Sequence, residues 1–460
     1  MNKLFYGDNL DVLRDSIADE SVDLIYLDPP FNSNANYNVL FKSKTGEGAD
    51  AQITAFEDTW HWNDKAEDAF DQVMRSGLSG ASELLRAMRG FLGENDMMAY
   101  LAMMAIRLIE LHRVLKPTGS LYLHCDPTAS HYLKLLLDGV FGAENFQNEV
   151  IWKRTGSHGG SRRWGPIHDT IFFYSRSQDY LWNRAYQEYE ESYLNDFYRY
   201  EDSRGRYRLV TLTGAGTRKG DSGLPWRGVD PTDSGRHWAV PAASLKAAYP
   251  DMELNGLTTQ ERLELLDEAG LIYWPPKGSV PQQKRYVEEG AGVPIQDIVT
   301  DIGPISSQAQ ERLGYPTQKP LALLERIIAA SSNEGDVVLD PFCGCGTAVH
   351  AAQKLGRQWI GIDVTHLAIH LIEKRLNDAF PGIKYEVHGT PRDLASAQDL
   401  ALRDKHQFEL WALAQVDAVP WRGGRKGADG GIDGIIYFKP DGKRTEKAIV
   451  EVKGGGTGVK

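Results

Sequence analysis

Val337-Val338-Leu339-Asp340-Pro341-Phe342-Cys343-Gly344-Cys345-Gly346-Thr347 is the stretch that decides the fold. An apolar strand ends in an acid, passes through a loop holding two glycines and opens a helix read over Ala348 to Leu355. Glycines let a ligand approach the backbone, and a helix N-terminus offers unpaired N–H groups to a carboxylate. Read alone, such a loop could equally be a structural turn or a dinucleotide site. The spacing is not G-x-G-x-x-G, however. The next strand, Trp359 to Ile362, ends in Asp363, placed to take the two ribose hydroxyls of an adenosyl ligand.

Outward from this loop the same rhythm continues. Leu321 to Ala330 and Ala368 to Leu376 read as helices. Near the N-terminus, Leu4 to Tyr6 is a short strand, Asp8 opens a helical stretch through Leu13, and Val22 to Leu27 is a strand ending at Asp28. An insertion rich in Gly, Asp and Trp follows from Asn32 to about Asn95. Met97 to Leu115 is then a helix apolar on most of its circumference, stopped by Lys116-Pro117-Thr118-Gly119. Ser120 to Cys125 is a strand, Tyr132 to Phe141 a helix, and Glu149 to Lys153 and Thr170 to Tyr174 are further β-like runs. The class is α/β, with ligands expected outside the carboxyl ends of the strands, just past Leu27, Leu339 and Ile362.

Composition bounds the rest. With 460 residues, 42% hydrophobic and 25% charged, the chain can bury two or three cores and is neither fibrous nor disordered. No apolar run is long enough for a membrane span, and the start MNKLFYGDNL has no leader pattern, so a cytoplasmic protein is expected. Cys125, Cys343 and Cys345 are too few for a disulfide framework. The net charge of −12 would repel nucleic acid if spread evenly. Yet residues 180 to 300 lose the α/β rhythm and read as a module inserted between two halves of one sheet. Around and within it, Lys153, Arg154, Arg162, Arg163, Arg204, Arg206, Arg208, Arg218 and Lys219 interleave with Tyr193, Tyr198, Tyr200, Tyr207 and Trp226. A phosphate-tracking, base-stacking surface has this composition, and so has an ordinary solvated face.

Asp28-Pro29-Pro30-Phe31 is the second informative motif. Its prolines fix the backbone so that the Asp28 carboxylate and the Pro29 carbonyl can converge on one external donor, although a chance four-residue turn would read the same.

Taken together, the motifs resemble the amino-methyltransferases of DNA, in which D-P-P-[YF] holds the target amino group and F-x-G-x-G holds S-adenosylmethionine. The likeness covers LFYGDNLDVL from Leu4, LIYLDPPFN from Leu24, GSLYLHCDP from Gly119, HDTIFFYS from His168, YPTQKP from Tyr315 and VVLDPFCGCGT from Val337. D-P-P-F before F-x-G-x-G is the permuted order of the β group. The resemblance implies a Rossmann-like, circularly permuted, S-adenosylmethionine-dependent methyltransferase fold, its halves at 1–180 and 301–395 and a target-recognition insertion at 181–300. It implies catalytic roles for Asp28, Pro29, Pro30 and Phe31. Phe342, Gly344, Gly346 and Thr347 would line the cofactor with Asp340, Asp363 would hold its ribose, and Thr317 and Lys319 would lie near its carboxylate. Asp8 is a further member unless it is only a helix N-cap. The substrate implied is a base flipped out of double-stranded DNA, with N6 of adenine favoured over N4 of cytosine because Asp rather than Ser precedes Pro-Pro. A restriction-modification setting is implied, and a homodimer is left open.

The C-terminal segment, residues 400–460, points to another class. Phe408 to Gln415 reads as a helix, Asp433 precedes the strand Ile435 to Phe438, and Ala448 to Val450 leads into Glu451-Val452-Lys453. An acid before one strand and E-x-K on the next can bind Mg²⁺ through Asp433 and Glu451 and activate water, with Lys453 steadying the phosphate. This is similar to the Mrr-like branch of PD-(D/E)xK nucleases, a partial α/β domain here, and also to a hairpin with ordinary surface charges. Since the sequence stops at Lys460, before the helix and strand that should follow, cleavage by these 460 residues is not expected.

Overall fold

A computed structural model describes residues 2–30, 36–42, 48–57, 61–157, 162, 164–276, 280–306, 308–315, 317–416, 418–421, 432–438, 444 and 446–454, with backbone alone at 36–42, 48–57 and 419. Residues 1–185 and 296–460 form one compact unit and Tyr186–Ile295 another.

The first unit is built on a nine-stranded sheet: β1 (Lys3–Tyr6), β2 (Val22–Leu27), β3 (Leu115–Cys125), β4 (Phe146–Lys153), β5 (His168–Ser175), β6 (Ile298–Val299), β7 (Val337–Asp340), β8 (Gln358–Asp363) and β9 (Glu386–His388). The spatial order is β6-β4-β5-β3-β2-β7-β8-β1-β9. All neighbours are parallel except that β5 runs against both β3 and β4. Strands β2 and β7 come from opposite ends of the chain yet pair directly, Leu24 with Val338 and Ile25 with Leu339. From β7 the chain moves to β8 on one side, and from β2 to β3 on the other. Strand order therefore reverses between β2 and β7, and a crevice opens past their carboxyl ends.

Period-two alternation sends successive side chains of each strand to opposite faces. On β2, Val22, Ile25 and Leu27 join one core, packed by α1 (Asn9–Ser16), α2 (Asp96–Val114) and α3 (Ser130–Phe141). Leu24 and Tyr26 join the other, with α4 (Leu321–Ser331), α5 (Thr347–Lys354) and α6 (His366–Ala379). Helix α2 is buried around most of its surface, and the Asn95 side chain caps it by accepting from Met98 N.

Two readings change. The turn expected at 116–119 lies inside β3: Val22 pairs with Leu115 and Leu24 already with Ser120, so the intervening residues bulge out. Lys116 anchors the bulge by donating from Nζ to Asp23 at 2.7 Å. Within the insertion after Asp28, Asp64–Arg75 and Ser79–Leu92 are helices that contribute Phe70, Val73, Leu85 and Met88 to the first core. At the C-terminus, helix Lys405–Gln415 packs on α6, within the first unit.

The second unit has an antiparallel sheet of Tyr200–Asp202, Gly205–Thr211, Gln282–Tyr286 and Ile272–Tyr273, beside helix Thr259–Glu268 with its Thr258/Glu261 capping box. Its core holds Tyr207, Trp226, Trp238, Leu263, Leu266 and Tyr286.

Candidate active site

Strand β2 ends where it does because Pro29 and Pro30 have no N–H to give a neighbouring strand. Asp28 is thereby left at the crevice. One of its oxygens, Oδ2, accepts from Lys319 Nζ at 2.5 Å, with the two side chains only 16% and 8% exposed. Its other oxygen, Oδ1, is buried and has no hydrogen-bond partner among the described residues. Leaving a buried carboxylate oxygen unsatisfied costs free energy, so such an atom points to an absent donor.

Lys319 arrives on a tightly bonded segment just ahead of α4. Gln318 Oε1 accepts from Leu313 N (2.9 Å), Gln318 Nε2 donates to Glu311 O (2.6 Å), and Glu311 Oε2 accepts from Leu321 N (3.0 Å). Thr317 sits at φ +61° with an exposed side chain, its carbonyl 3.4 Å from Lys319 Nζ. The structure thus brings Lys319 to Asp28. Pro29 is buried and Pro30 half-buried; Phe31 lies outside the described residues.

Behind Asp28 runs a buried polar row that sequence reasoning missed. Tyr26 Oη is 2.9 Å from His124 Nδ1, His124 Nε2 is 3.1 Å from Asp169 Oδ2, and Arg154 lies 3.1 Å from Asp169. Burial, then the Asp28 charge, pushes the Tyr26 phenol well up, so it donates to Nδ1. Burial and the Lys319 charge lower the His124 pKa, leaving a neutral ring that donates from Nε2. Burial acts to raise the Asp169 pKa, but the His124 hydrogen bond and the Lys319 and Arg154 charges outweigh it and hold the carboxyl below the usual range. The only signal was that His124 and Asp169 fall in the motif segments quoted above.

The glycine loop leaves β7 as anticipated. Asp340 is buried, its carboxylate accepts from Phe342 N (3.1 Å), and burial pushes its pKa well above the ordinary value. Gly346 N donates to Cys343 O (2.7 Å), closing a turn in which Gly344 has φ +49° and Gly346 φ +73°. A Cβ at Gly346 would stand 2.7 Å from Ile372 Cγ1, and one at Gly344 would stand 3.2 Å from the Tyr315 ring. Thr347 begins α5, its hydroxyl 3.1 Å from Arg375. Burial raises both loop thiols, so Cys343 and Cys345 are not nucleophiles.

Asp363 stands across this loop, at the end of the adjacent strand. Its Oδ2 accepts from Gly344 N (3.0 Å) and its Oδ1 from Thr365 N (2.8 Å) and Oγ1 (2.9 Å). Burial pushes its pKa up to about 6, those hydrogen bonds pulling the other way. Lone pairs remain for further donors. Asp8 caps α1 through Leu10 N and is paired with the buried Arg107 (2.8 Å), which also donates to Asn9 (2.6 Å). Arg107, a cation in the middle of the apolar run of α2, was the available clue to that network.

The basic candidates divide. Lys153, Arg162, Arg204, Arg218 and Lys219 are exposed. Arg154 is committed to Asp169 and Arg206 to Glu191 (3.3 Å) and Asn195 (2.9 Å). Arg208 donates to the Tyr193 hydroxyl (3.2 Å) and lies over the Tyr198 ring. Arg163 is outside the described residues. Of the aromatics that a base-stacking surface or a solvated face would show, Tyr198, Tyr207 and Trp226 are buried within the second unit, Tyr207 and Trp226 packing with leucines in its core.

In the tail, Gly434–Phe438 pairs antiparallel with Glu446–Val450, which sets Asp433 beside the end of the second strand. There Asp433 Oδ2 accepts from Val452 N (2.5 Å), and Glu451 pairs with Lys453. Among the described residues no group of three His, Cys, Asp or Glu side chains is placed to hold a metal ion. None of their helices is long and apolar enough to cross a membrane.

The N6/N4 methyltransferase family, described as DNA methylase, matches residues 22–374. Type II methyltransferase M.EcaI of Enterobacter cloacae is 34% identical over 278 residues, 60% of this chain and 57% of that protein. The Mod subunit of the Type III restriction-modification enzyme StyLTI of Salmonella typhimurium is 28% identical over 384 residues, 78% of this chain and 50% of the subunit. The chain thus spans about half the length of these curated relatives. Among solved structures, a DNA modification methylase of Thermus thermophilus complexed with S-adenosyl-L-methionine shares 15% identity over 85% of this chain and 100% of that one, with a TM-score of 0.39. The cytosine-N4-specific PvuII DNA methyltransferase shares 14% over 84% and 89%, with a TM-score of 0.36.

Proposed function

The chain belongs to the N6/N4 DNA methylase family, and from that premise we propose that it methylates the exocyclic amino group of a base flipped out of double-stranded DNA, N6 of adenine in preference to N4 of cytosine. One observation carries the proposal: Asp28 presents a buried Oδ1, without a hydrogen-bond partner among the described residues, at the point where the strand order reverses. An exocyclic amino nitrogen is a poor nucleophile while its lone pair is delocalised into the ring. Two acceptors holding its N–H bonds can turn that lone pair out of the ring plane. Asp28 Oδ1 takes one N–H in a charge-assisted bond, and the Pro29 carbonyl, at a position where no strand claims it, takes the other. Phe31 stacks on the base. Flipping costs a few kcal/mol, recovered through stacking and phosphate contacts, for which Lys153, Arg162, Arg204, Arg218 and Lys219 are the exposed cations.

The glycine loop fits S-adenosylmethionine. The positive φ at Gly344 and Gly346 opens the backbone beside the N-terminus of α5, which suits the cofactor's carboxylate, and Asp363 retains acceptor capacity for its ribose. Phe342 and Thr347 border the loop, while Asp340 shapes it from beneath. When bound, the cofactor supplies an electrophilic methyl group on its sulfonium. This chain's part is to orient the amine and keep water away. No nucleophile-and-base pair is present in the described site, and direct displacement needs none.

Incubation with labelled cofactor and mixed-sequence DNA, followed by nucleoside mass spectrometry, tests this. N6-methyladenine is expected, and it should vanish in Asp28→Ala while cofactor affinity stays within about twofold, since Asp28 acts on the base and not on the cofactor. N4-methylcytosine would replace the adenine assignment. Undiminished turnover by a soluble Asp28→Ala variant would remove Asp28 from catalysis.

A further inference from the structure

We propose that Lys319 is a positioning residue for methyl transfer, fixing the Asp28 carboxylate so that Oδ1 alone faces the target amino group, instead of holding the cofactor's carboxylate. The inference rests on the reading of Asp28 given above. A carboxylate turns about a broad, roughly two-fold torsion, so an untethered Asp28 would present either oxygen in a range of directions. Here its oxygens are inequivalent: Oδ2 is tied to Lys319 Nζ, and Oδ1 is buried and has no hydrogen-bond partner among the described residues. Lys319 is itself 7% exposed, and the Gln318 and Glu311 hydrogen bonds pin the backbone on either side of it. An anchor held this tightly transmits its position to the group it binds.

The surrounding charges explain why a cation is needed. Asp28, Asp340 and Asp363 end three neighbouring strands, β2, β7 and β8, and so crowd acidic groups along one edge of the crevice. Lys319 contacts the first of them and compensates for that crowding. Its ammonium also lies close enough to affect His124 and Asp169 behind the site. The same ammonium thus pairs with Asp28 and acts through its charge on His124 and Asp169.

Lys319→Met removes the charge and the tether and keeps most of the volume. Saturating kcat should fall by about 10²-fold, the loss typical when a catalytic group is misplaced by an ångström, with KM for DNA changed far less. The cofactor's dissociation constant, measured calorimetrically with S-adenosylhomocysteine, should stay within about twofold, and Lys319→Arg should restore at least about tenfold of the lost kcat. In an Asp28→Asn background, Lys319→Met should add little, because the two side chains act as one unit. A cofactor affinity that falls in step with activity, with normal kcat at saturation, would return Lys319 to the cofactor and overturn the proposal. So would unchanged kcat in Lys319→Met. If that variant does not bind the product analogue at all, Lys319→Gln is measured by the same criteria. Wild-type protein that methylates no DNA would overturn the underlying reading and this proposal with it, whereas active wild type with active Lys319→Met refutes the proposal alone.

Discussion

Acidification should release the cofactor through Asp363. Burial at the end of β8 pushes this carboxyl from 3.8 to about 6, against the pull of the Thr365 and Gly344 hydrogen bonds. With the cofactor's ribose hydroxyls donating to the ionised form, as proposed, binding should reach full strength a unit or more above pH 6 and weaken as pH falls through that value. At pH 5 only about one molecule in eleven of the free protein is ionised, which lowers apparent affinity about tenfold from the plateau, or about 1.4 kcal/mol. The unliganded protein should show the opposite trend in stability. An acid whose pKa is higher folded than unfolded keeps a proton that the unfolded chain releases, so stability falls as pH rises from 3.8 to about 6. The displacement corresponds to at most about 3 kcal/mol. Calorimetric titration with S-adenosylhomocysteine at half-unit steps from pH 8 to 5 measures the first effect. Asp363→Asn, which cannot ionise, should bind more weakly and without that slope. Affinity constant within twofold from pH 8 to 5 in the wild type would refute the reasoning; so would a slope that persists in Asp363→Asn, which would assign it to the neighbouring Asp340.

Two further outcomes follow from packing. Gly346→Val places a branched side chain at φ +73° with its Cβ 2.7 Å from Ile372, so it should cost at least about 2 kcal/mol and abolish cofactor binding; a melting temperature equal to wild type would show that the loop yields. In the tail, Asp433 is occupied by Val452 N–H and Glu451 by Lys453, so millimolar Mg²⁺ should leave the melting temperature of the 460-residue chain unchanged; a metal-dependent rise that disappears in Asp433→Ala would instead establish an ion site.

Local sequence determined a good deal. A strand that ends in Asp28-Pro29-Pro30 must stop pairing there, and one that runs into Phe342-Cys343-Gly344-Cys345-Gly346 must turn with positive φ and open a helix; both follow from the covalent geometry of proline and glycine. The two-faced burial of β2 and β7 was legible in their near-continuous apolar runs. Helices Asp64–Arg75 and Ser79–Leu92 are legible in periodicity, with Ala66, Ala69, Phe70 and Val73 and then Ala81, Leu85 and Met88 at helical spacing, but not in the Gly-, Asp- and Trp-rich composition by which the insertion was read. The basic, aromatic stretch was ambiguous for the same reason: composition does not say which face of an element is inside. Pairing across the sheet was decided by tertiary structure alone. That Lys319, 291 residues from Asp28, should reach its carboxylate depends on β2 and β7 lying side by side and on the segment ahead of α4 folding over them. The row of Tyr26, His124 and Asp169 depends likewise on the pairing of β2, β3 and β5, whose register no local pattern encodes. Short-range sterics are written residue by residue, whereas long-range polar contacts exist only once the whole sheet has closed its ranks and excluded water.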